Sequence, residues 1–303
     1  RIYHDGSNSF IQDAGTGDLI IQGTNTLIRN NNGDTGIDIN EDSSVDLYFD
    51  NAKKLATTTG GIDVTGAITV NGAALAGGVE LVKTVDVTST STYTPTSGTK
   101  FVTVYATGGG AGAGGINHLG GGGYGSGGAG GAAGTGIRTY TAAELGSTAS
   151  VTIGAGGSGG SGNSAGSNGG TTTFDPAGTG TTITAYGGGG GRGIELNYGT
   201  LTGMFGSGGG TSGAQVQIIG LCGNANALNT ASGTTINTLA NTGGASFWGG
   251  MNSTRSASSG SSDNGQDASS HGAGGNGAVA YYNSGSVNGG SGKAGLVVIM
   301  EYA

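Results

Sequence analysis

Glycine recurs at every third residue through Gly122, Gly125, Gly128, Gly131 and Gly134, and Gly157, Gly160, Gly166 and Gly169 nearly keep the same period. A strict period of three implies three residues per turn with one side too crowded for any side chain. Ser158, Ser161, Ser164 and Ser167 stay in phase on a second side, and Gly289, Gly292 and Gly295 repeat the pattern near the end. Collagen holds this geometry with imino acids in the polyproline II conformation. Pro95 and Pro176 are the only prolines here, so collagen is excluded. What remains is a bundle of left-handed polyglycine II helices, each N–H bonded to a carbonyl of a neighbouring helix, or a flexible glycine/serine linker. A linker needs no phase and is not interrupted by apolar segments, so the period favours the bundle. In such a bundle Gly125, Gly128 and Gly131 are expected to reject alanine, whereas Ser126 and Ala132 tolerate change.

Of the 73 glycines, 60 lie in 108–303 and 13 before, which divides the chain into two compositional halves with a boundary within 77–107. Residues 1–78 carry ten acids against four bases (10 − 4, a net of −6), and residues 79–303 carry eight against six (8 − 6, a net of −2). Disordered segments are normally kept soluble by charge, and nucleic-acid binders need a basic stripe; the glycine-rich half has neither. The total of −8 argues against nucleic acid and anionic membranes as partners. No run approaches the roughly 20 apolar residues of a membrane span, so no membrane insertion is expected. Cys222 is the only cysteine, which leaves no intrachain disulfide. The opening at Arg1, without methionine or a signal-like stretch, is what a piece of a longer chain would show.

Residues 1–78 read as short strands separated by Gly, Asn, Asp and Thr, with alternation clearest in Gly61-Ile-Asp-Val-Thr-Gly-Ala-Ile-Thr-Val-Asn-Gly72. So little aliphatic bulk is marginal for a monomer. Three copies winding round one axis would bury the alternate residues that one copy exposes.

Ile2-Tyr-His-Asp-Gly-Ser-Asn-Ser-Phe-Ile-Gln-Asp-Ala-Gly-Thr-Gly-Asp-Leu19, Val45-Asp-Leu-Tyr-Phe-Asp-Asn-Ala-Lys-Lys-Leu55 and Gly61-Ile-Asp-Val-Thr-Gly66 resemble shaft repeats of bacteriophage tail fibres, those of marine phages especially. The resemblance covers most of 1–75. It implies a trimeric, β-rich shaft, and with it a homotrimer that belongs to a virion and joins the rest of a phage tail. Residues 93–107, which lead into the first glycine run, and Gly295-Leu-Val-Val-Ile-Met-Glu-Tyr-Ala303 look like the glycine-rich domain at the ends of many phage fibres. Strands at Arg138–Tyr140, Ser150–Ile153, Thr171–Phe174 and Thr182–Tyr186 fit the same family. With 101–107 and 296–302 they are expected to make a small β-platform connected by the glycine helices. The distal adhesins of T-even-like phages are similar in plan, with layered polyglycine helices and variable loops at the outer tip. The expected architecture is all-β and irregular: a β-rich trimeric fibre shaft over 1–78, a connector and first tip strand over 79–107, and a glycine-rich receptor-binding tip over 108–303.

Glycine helices offer no side chains for recognition, so specificity falls to what interrupts them. The inserts are Ile116–Leu119, Ile194–Phe205, Ala214–Met251, which holds the single tryptophan, and Tyr281–Asn283. Aromatics on rigid loops bury large area at small entropic cost, anchoring interfaces and stacking on sugar rings. The candidate receptor contacts are therefore His118, Leu119, Tyr198, Leu201, Met204, Phe205, Phe247, Trp248, Met251, Asn252, Tyr281 and Tyr282. Against this stands packing, because a glycine-rich fold has few other large residues with which to fill its interior. The aliphatic residues of 214–240 read as structural, packing three tips together.

Catalytic patterns are weak. Gly156-Gly-Ser-Gly-Gly160 matches a nucleophile elbow, but that motif needs a strand before it and a helix after. His4, His118 and His271 are far apart, and no Cys/His cluster has metal-ligand spacing. The few carboxylates of the glycine-rich half form no glycosidase motif, and no phosphate loop is present. No enzymatic activity, cofactor or metal is expected. The leading expectation is a tail-fibre receptor-binding protein whose tip attaches, without catalysis, to a bacterial cell-surface glycan or outer-membrane protein. The alternatives are a structural extracellular filament and, on the strength of the serine ladder, an ice-binding protein.

Overall fold

The computed structural model describes residues 1–41, 43–70, 73–74, 79–118, 124–196, 200–224, 238–250, 256–257, 261–281 and 285–303. Its regular structure is almost entirely strand, spread over several sheets, with one short helix at Ala142–Leu145 among the described residues. The chain divides into two units, Arg1–Gly78 and Val79–Ala303.

In the first unit, strands Asn25–Arg29, Thr35–Asn40, Val45–Phe49, Ala52–Thr58 and Gly61–Val64 form an antiparallel meander in chain order. Asp50 and Asn51 turn the central hairpin in two residues, both at positive φ (53° and 56°), the conformation a tight primed turn demands. Because side chains alternate across a strand, the register aligns Ile28, Ile37, Leu47, Leu55 and Val64 in one row across all five strands. The opposite face carries Leu27, Asp38, Asp46, Ala56 and Asp63, with Lys53 Nζ 2.6 Å from Asp46 Oδ2. The aliphatic face stays open: Ile28 is 55% and Leu47 39% exposed.

The second unit begins with two five-stranded antiparallel sheets. One has the order Leu81–Val87, Leu296–Tyr302, Phe101–Thr107, Thr135–Thr141, Val216–Ile218; the other runs Ser91–Tyr93, Ala149–Thr152, Thr172–Pro176, Ile183–Ala185, Thr211–Ser212. The strands anticipated from sequence are present, but they divide between two sheets rather than forming one platform. A single core draws Val102, Val104, Tyr140, Val297 and Ile299 from the first sheet, Tyr93, Val151, Phe174 and Ile183 from the second, and Leu145 from the helix. That helix is held by a capping box in which Thr141 Oγ1 accepts from the Glu144 N–H and the Glu144 carboxylate accepts from the Thr141 N–H. Glu301, fully buried on a core strand, accepts hydrogen bonds from the Tyr93 hydroxyl at 2.9 Å and the Thr96 N–H at 3.2 Å.

The glycine runs form no ladder with one fixed partner. Along 108–116 the donors rotate: Gly108, Ala111 and Gly114 bond to Gly134, Gly131 and Gly128; Gly109, Gly112 and Gly115 to Gly170, Ser167 and Ser164; Gly110, Ala113 and Ile116 to Lys293, Gly290 and Val287. Carbonyls of the same run accept from Gly157 and Gly160, from Gly188 and Gly191, and from Gly275 and Ala278. This run is therefore ringed by six others. The run 127–134 is ringed in the same way: it donates to 272–278, 186–192 and Leu221, and accepts from 108–114, from Gly206 and Gly209, and from Gly244.

Packing this close leaves room for the buried Cβ atoms of Ala111, Ala113, Ala129, Ala132 and Ala133 but not for one at most of the glycines between them. A methyl group on Gly112 would overlap the Ser158 carbonyl oxygen, one on Gly110 that of Ala273, and one on Gly131 that of Ser207. On the outer runs the period of three shows in exposure, with Gly154, Gly157 and Gly160 buried and Ala155, Ser158 and Ser161 exposed. Ser126 departs from expectation. It is 1% exposed and its hydroxyl accepts the Asn241 N–H at 3.1 Å, so it sits in the interior rather than on a tolerant face.

Candidate functional site

Strand Phe101–Thr107 runs into 108–115, and 127–134 returns into Thr135–Thr141. Ala149–Thr152 and Ile183–Ala185 likewise lead outward into glycine runs, while Thr172–Pro176, Thr211–Ser212 and Leu296–Tyr302 receive them. The sheets hold one end of the array, so the connections gather at the other. There Ile116–His118 pairs in parallel with Ile194–Leu196, and Tyr124–Ser126 pairs with Thr200–Thr202 on one side and Val279–Tyr281 on the other. Parallel pairing of such short strands is possible because each is the continuation of a glycine run already held at a fixed spacing. A small core of Ile116, Ala278, Ala280 and Val287, with Ile194 against it, anchors this end.

Polar side chains cluster over these strands. Asn117 and Glu195 are register partners. Asn163, in the turn where Gly162 takes positive φ (52°), donates to Glu195 Oε2 at 3.1 Å, and the Ser286 hydroxyl donates to Asn117 Oδ1 at 2.7 Å. The amides and carboxylate lie at the surface, in an arrangement that can exchange hydrogen bonds with a polar ligand. Among the described residues no three His, Cys, Asp or Glu side chains gather in a group that could hold a metal.

A model of a glycine-rich domain matches residues 84–302, so the matched unit takes in both the sheets and the glycine array. The chain belongs to this glycine-rich domain family. No curated protein matches it.

Within the glycine-rich domain the residues singled out from sequence fall in different places. The backbone of His118, Leu201 and Tyr281 lies in the strands of the far end. Met204 is 67% and Phe205 39% exposed in the run that follows Thr200–Thr202. Leu119, Tyr198, Met251, Asn252 and Tyr282 lie outside the described residues.

Phe247 and Trp248 are not with the others. The Trp248 indole N–H donates to Thr107 Oγ1 at 2.8 Å, and both rings meet Tyr105 at centroid distances of 6.1 and 6.3 Å, which places them beside the sheets at the opposite end of the array. These two candidate contacts thus lie apart from the strands of the far end. The aliphatic residues Val216, Ile219 and Leu221, expected to pack three tips together, are 52%, 72% and 61% exposed in the single chain.

Sequence inspection missed Asn117, Asn163, Glu195 and Ser286, which become neighbours only when separate glycine runs end at one level. The one local signal was Asn163 beside Gly162, which takes the place of a glycine in the period Gly157, Gly160, Gly166, Gly169 at the point where the run reverses.

Proposed function

We propose that this chain is the distal part of a bacteriophage tail fibre, a homotrimer whose glycine-rich tip attaches without catalysis to a bacterial cell-surface glycan or outer-membrane protein. The observation that carries this reading is the polarity of the glycine-rich domain. One end is a packed pair of sheets, and the other collects the strands and polar side chains that interrupt the glycine. The runs between are polyglycine II helices in this reading, supported by hydrogen bonds that rotate through three neighbours every three residues. The trimeric shaft is supported by the open row Ile28, Ile37, Leu47, Leu55 and Val64, an apolar face of the kind that a monomer rarely leaves uncovered. Three tips on one shaft raise avidity by about 10²–10⁴ over one weak site. Receptor contact falls to His118, Leu119, Tyr198, Leu201, Tyr281 and Tyr282, hydrogen bonding to Asn117, Asn163, Glu195 and Ser286, and flanking contact to Met204 and Phe205.

The test is binding of the fluorescently labelled full chain to a panel of marine Gram-negative bacteria, alongside an Asn163→Ala, Glu195→Ala double variant of verified oligomeric state. Saturable binding to a few strains, lost in the variant, is expected. Binding to none of the panel would count against attachment and favour a structural filament.

A further inference from the structure

Residues 238–250 contain no Asp, Glu, Lys or Arg, yet the turn Ser246–Gly249 is held by several hydrogen bonds. Ser246 and Gly249 exchange both backbone hydrogen bonds at 3.1 Å. The Ser246 hydroxyl donates to the His271 carbonyl at 2.6 Å and accepts from the Trp248 N–H at 3.2 Å. Gly249 and Gly250 follow at positive φ (101° and 120°), conformations a side chain would resist. Trp248 is fixed through its indole N–H to Thr107, whose hydroxyl is in turn paired with that of Thr135 at 2.8 Å. All this polar pinning holds one ring at the surface against two half-buried ones: Phe247, 44% exposed, stands edge-on to Trp248 at 4.9 Å and stacked on Tyr105 at 6.1 Å. Core filling would bury such rings, and a flexible loop would leave them free to collapse.

We propose that Phe247, Trp248 and Tyr105 form a lateral platform that binds the apolar face of a neutral hexopyranose in a surface glycan. Rigid aromatic rings supply contact area at little entropic cost. The absence of formal charge in the turn, in a chain of net −8, suits a neutral sugar rather than an anionic polysaccharide. Hydrogen-bonding groups border the turn that carries Phe247 and Trp248. Ser270 Oγ lies beside Gly249 and Gly250, and the His271 ring is held by its Nδ1, which donates to the Ala294 and Gly295 carbonyls at 3.1 Å. The platform deepens the attachment reading above and rests on it, but occupies the opposite end of the array from the strand cluster.

Trp248 is the only tryptophan, so its emission reports this site in the unaltered chain. Titration with neutral glucose and galactose oligosaccharides should shift or quench that emission saturably for at least one of them. Phe247→Ala, which leaves Trp248 and its hydrogen bond in place, should weaken that response at least tenfold with an unchanged melting temperature. Emission unmoved by every sugar, or a response equal in Phe247→Ala, overturns the platform, as does a response to outer-membrane protein peptides alone. Bacterial binding that persists while the emission stays silent leaves the attachment reading standing without the platform. Absence of bacterial binding defeats the attachment reading by itself.

Discussion

Gly128 lies against the carbonyl oxygen of Met204, on the spot where a side chain would begin: a Cβ there would overlap that oxygen and come within 2.8 Å of the Arg192 nitrogen. Both obstacles are backbone held in the array, since the Arg192 N–H itself donates to Met204 O at 2.9 Å. Gly128→Ala is expected to destabilise the chain by about 1–3 kcal/mol, the usual cost of forcing bulk into a packed interior. Gly210 is the control, with nothing within 4 Å of its Cβ position. Gly210→Ala should be neutral or stabilise by about 0.4–1 kcal/mol through the unfolded state. Calorimetric melting of both variants checks the pair.

Glu301 sets an acid limit on stability. Burial disfavours its charged form, but hydrogen bonds from Thr96 and Tyr93, with the Lys83 charge, outweigh that and hold its carboxyl below the ordinary glutamate value. Burial pushes the Tyr93 phenol up, so it remains a proton donor to Glu301. With the folded-state value depressed, the unfolded chain binds more protons on acidification. The contribution is thus present above the ordinary carboxylate range and lost as pH falls through the folded value. Melting temperature followed from pH 7 to 3 should fall, and Glu301→Gln should start lower at pH 7 and fall less steeply.

The interior of the array also relies on side-chain amides. Asn241, fully buried, donates from Nδ2 to the Gly127 carbonyl at 2.9 Å, and Asn276 Oδ1 accepts the Gly243 N–H at 2.9 Å. Asn241→Leu leaves a buried carbonyl without this donor, and a loss of about 1–3 kcal/mol is expected. Denaturant unfolding should show the midpoint lowered with the slope unchanged.

Association of the first unit is expected to depend on its aliphatic row. Leu47→Asp puts a charge in the centre of that row, opposite Ile37 and Leu55. Light scattering should report a trimer for the parent chain and a smaller species for the variant. A parent chain that is monomeric at all accessible concentrations contradicts the shaft proposal.

Much of the fold was legible because its determinants are local. Alternation in Val102, Val104 and Ala106 against Phe101, Thr103 and Tyr105 marks a half-buried strand before any partner is known. The period of three in glycine anticipates crowding at Gly128 and Gly131. The candidate site was less legible because it is assembled from chain ends of separate runs. Asn163 and Glu195 are 32 residues apart, and nothing in either stretch marks them as neighbours. The position of Trp248 was not legible for a related reason. An insert in the chain is not necessarily at the tip of the array, and here Thr107, 141 residues away, captures the indole at the sheet end. Ser126 looked like a surface serine in a repeat, yet a partner 115 residues distant buries it.

Amide hydrogen exchange followed by mass spectrometry on the whole chain tests the central claim, that the glycine runs are a packed array bonded through their backbones. Donors within 108–115 and 127–134, ringed by other runs, should be protected as strongly as those of strand Phe101–Thr107, and Gly128→Ala should weaken that protection. Exchange of both runs at the rate of an unfolded peptide, with the sheets still protected, would contradict the account and return the glycine to the status of a linker.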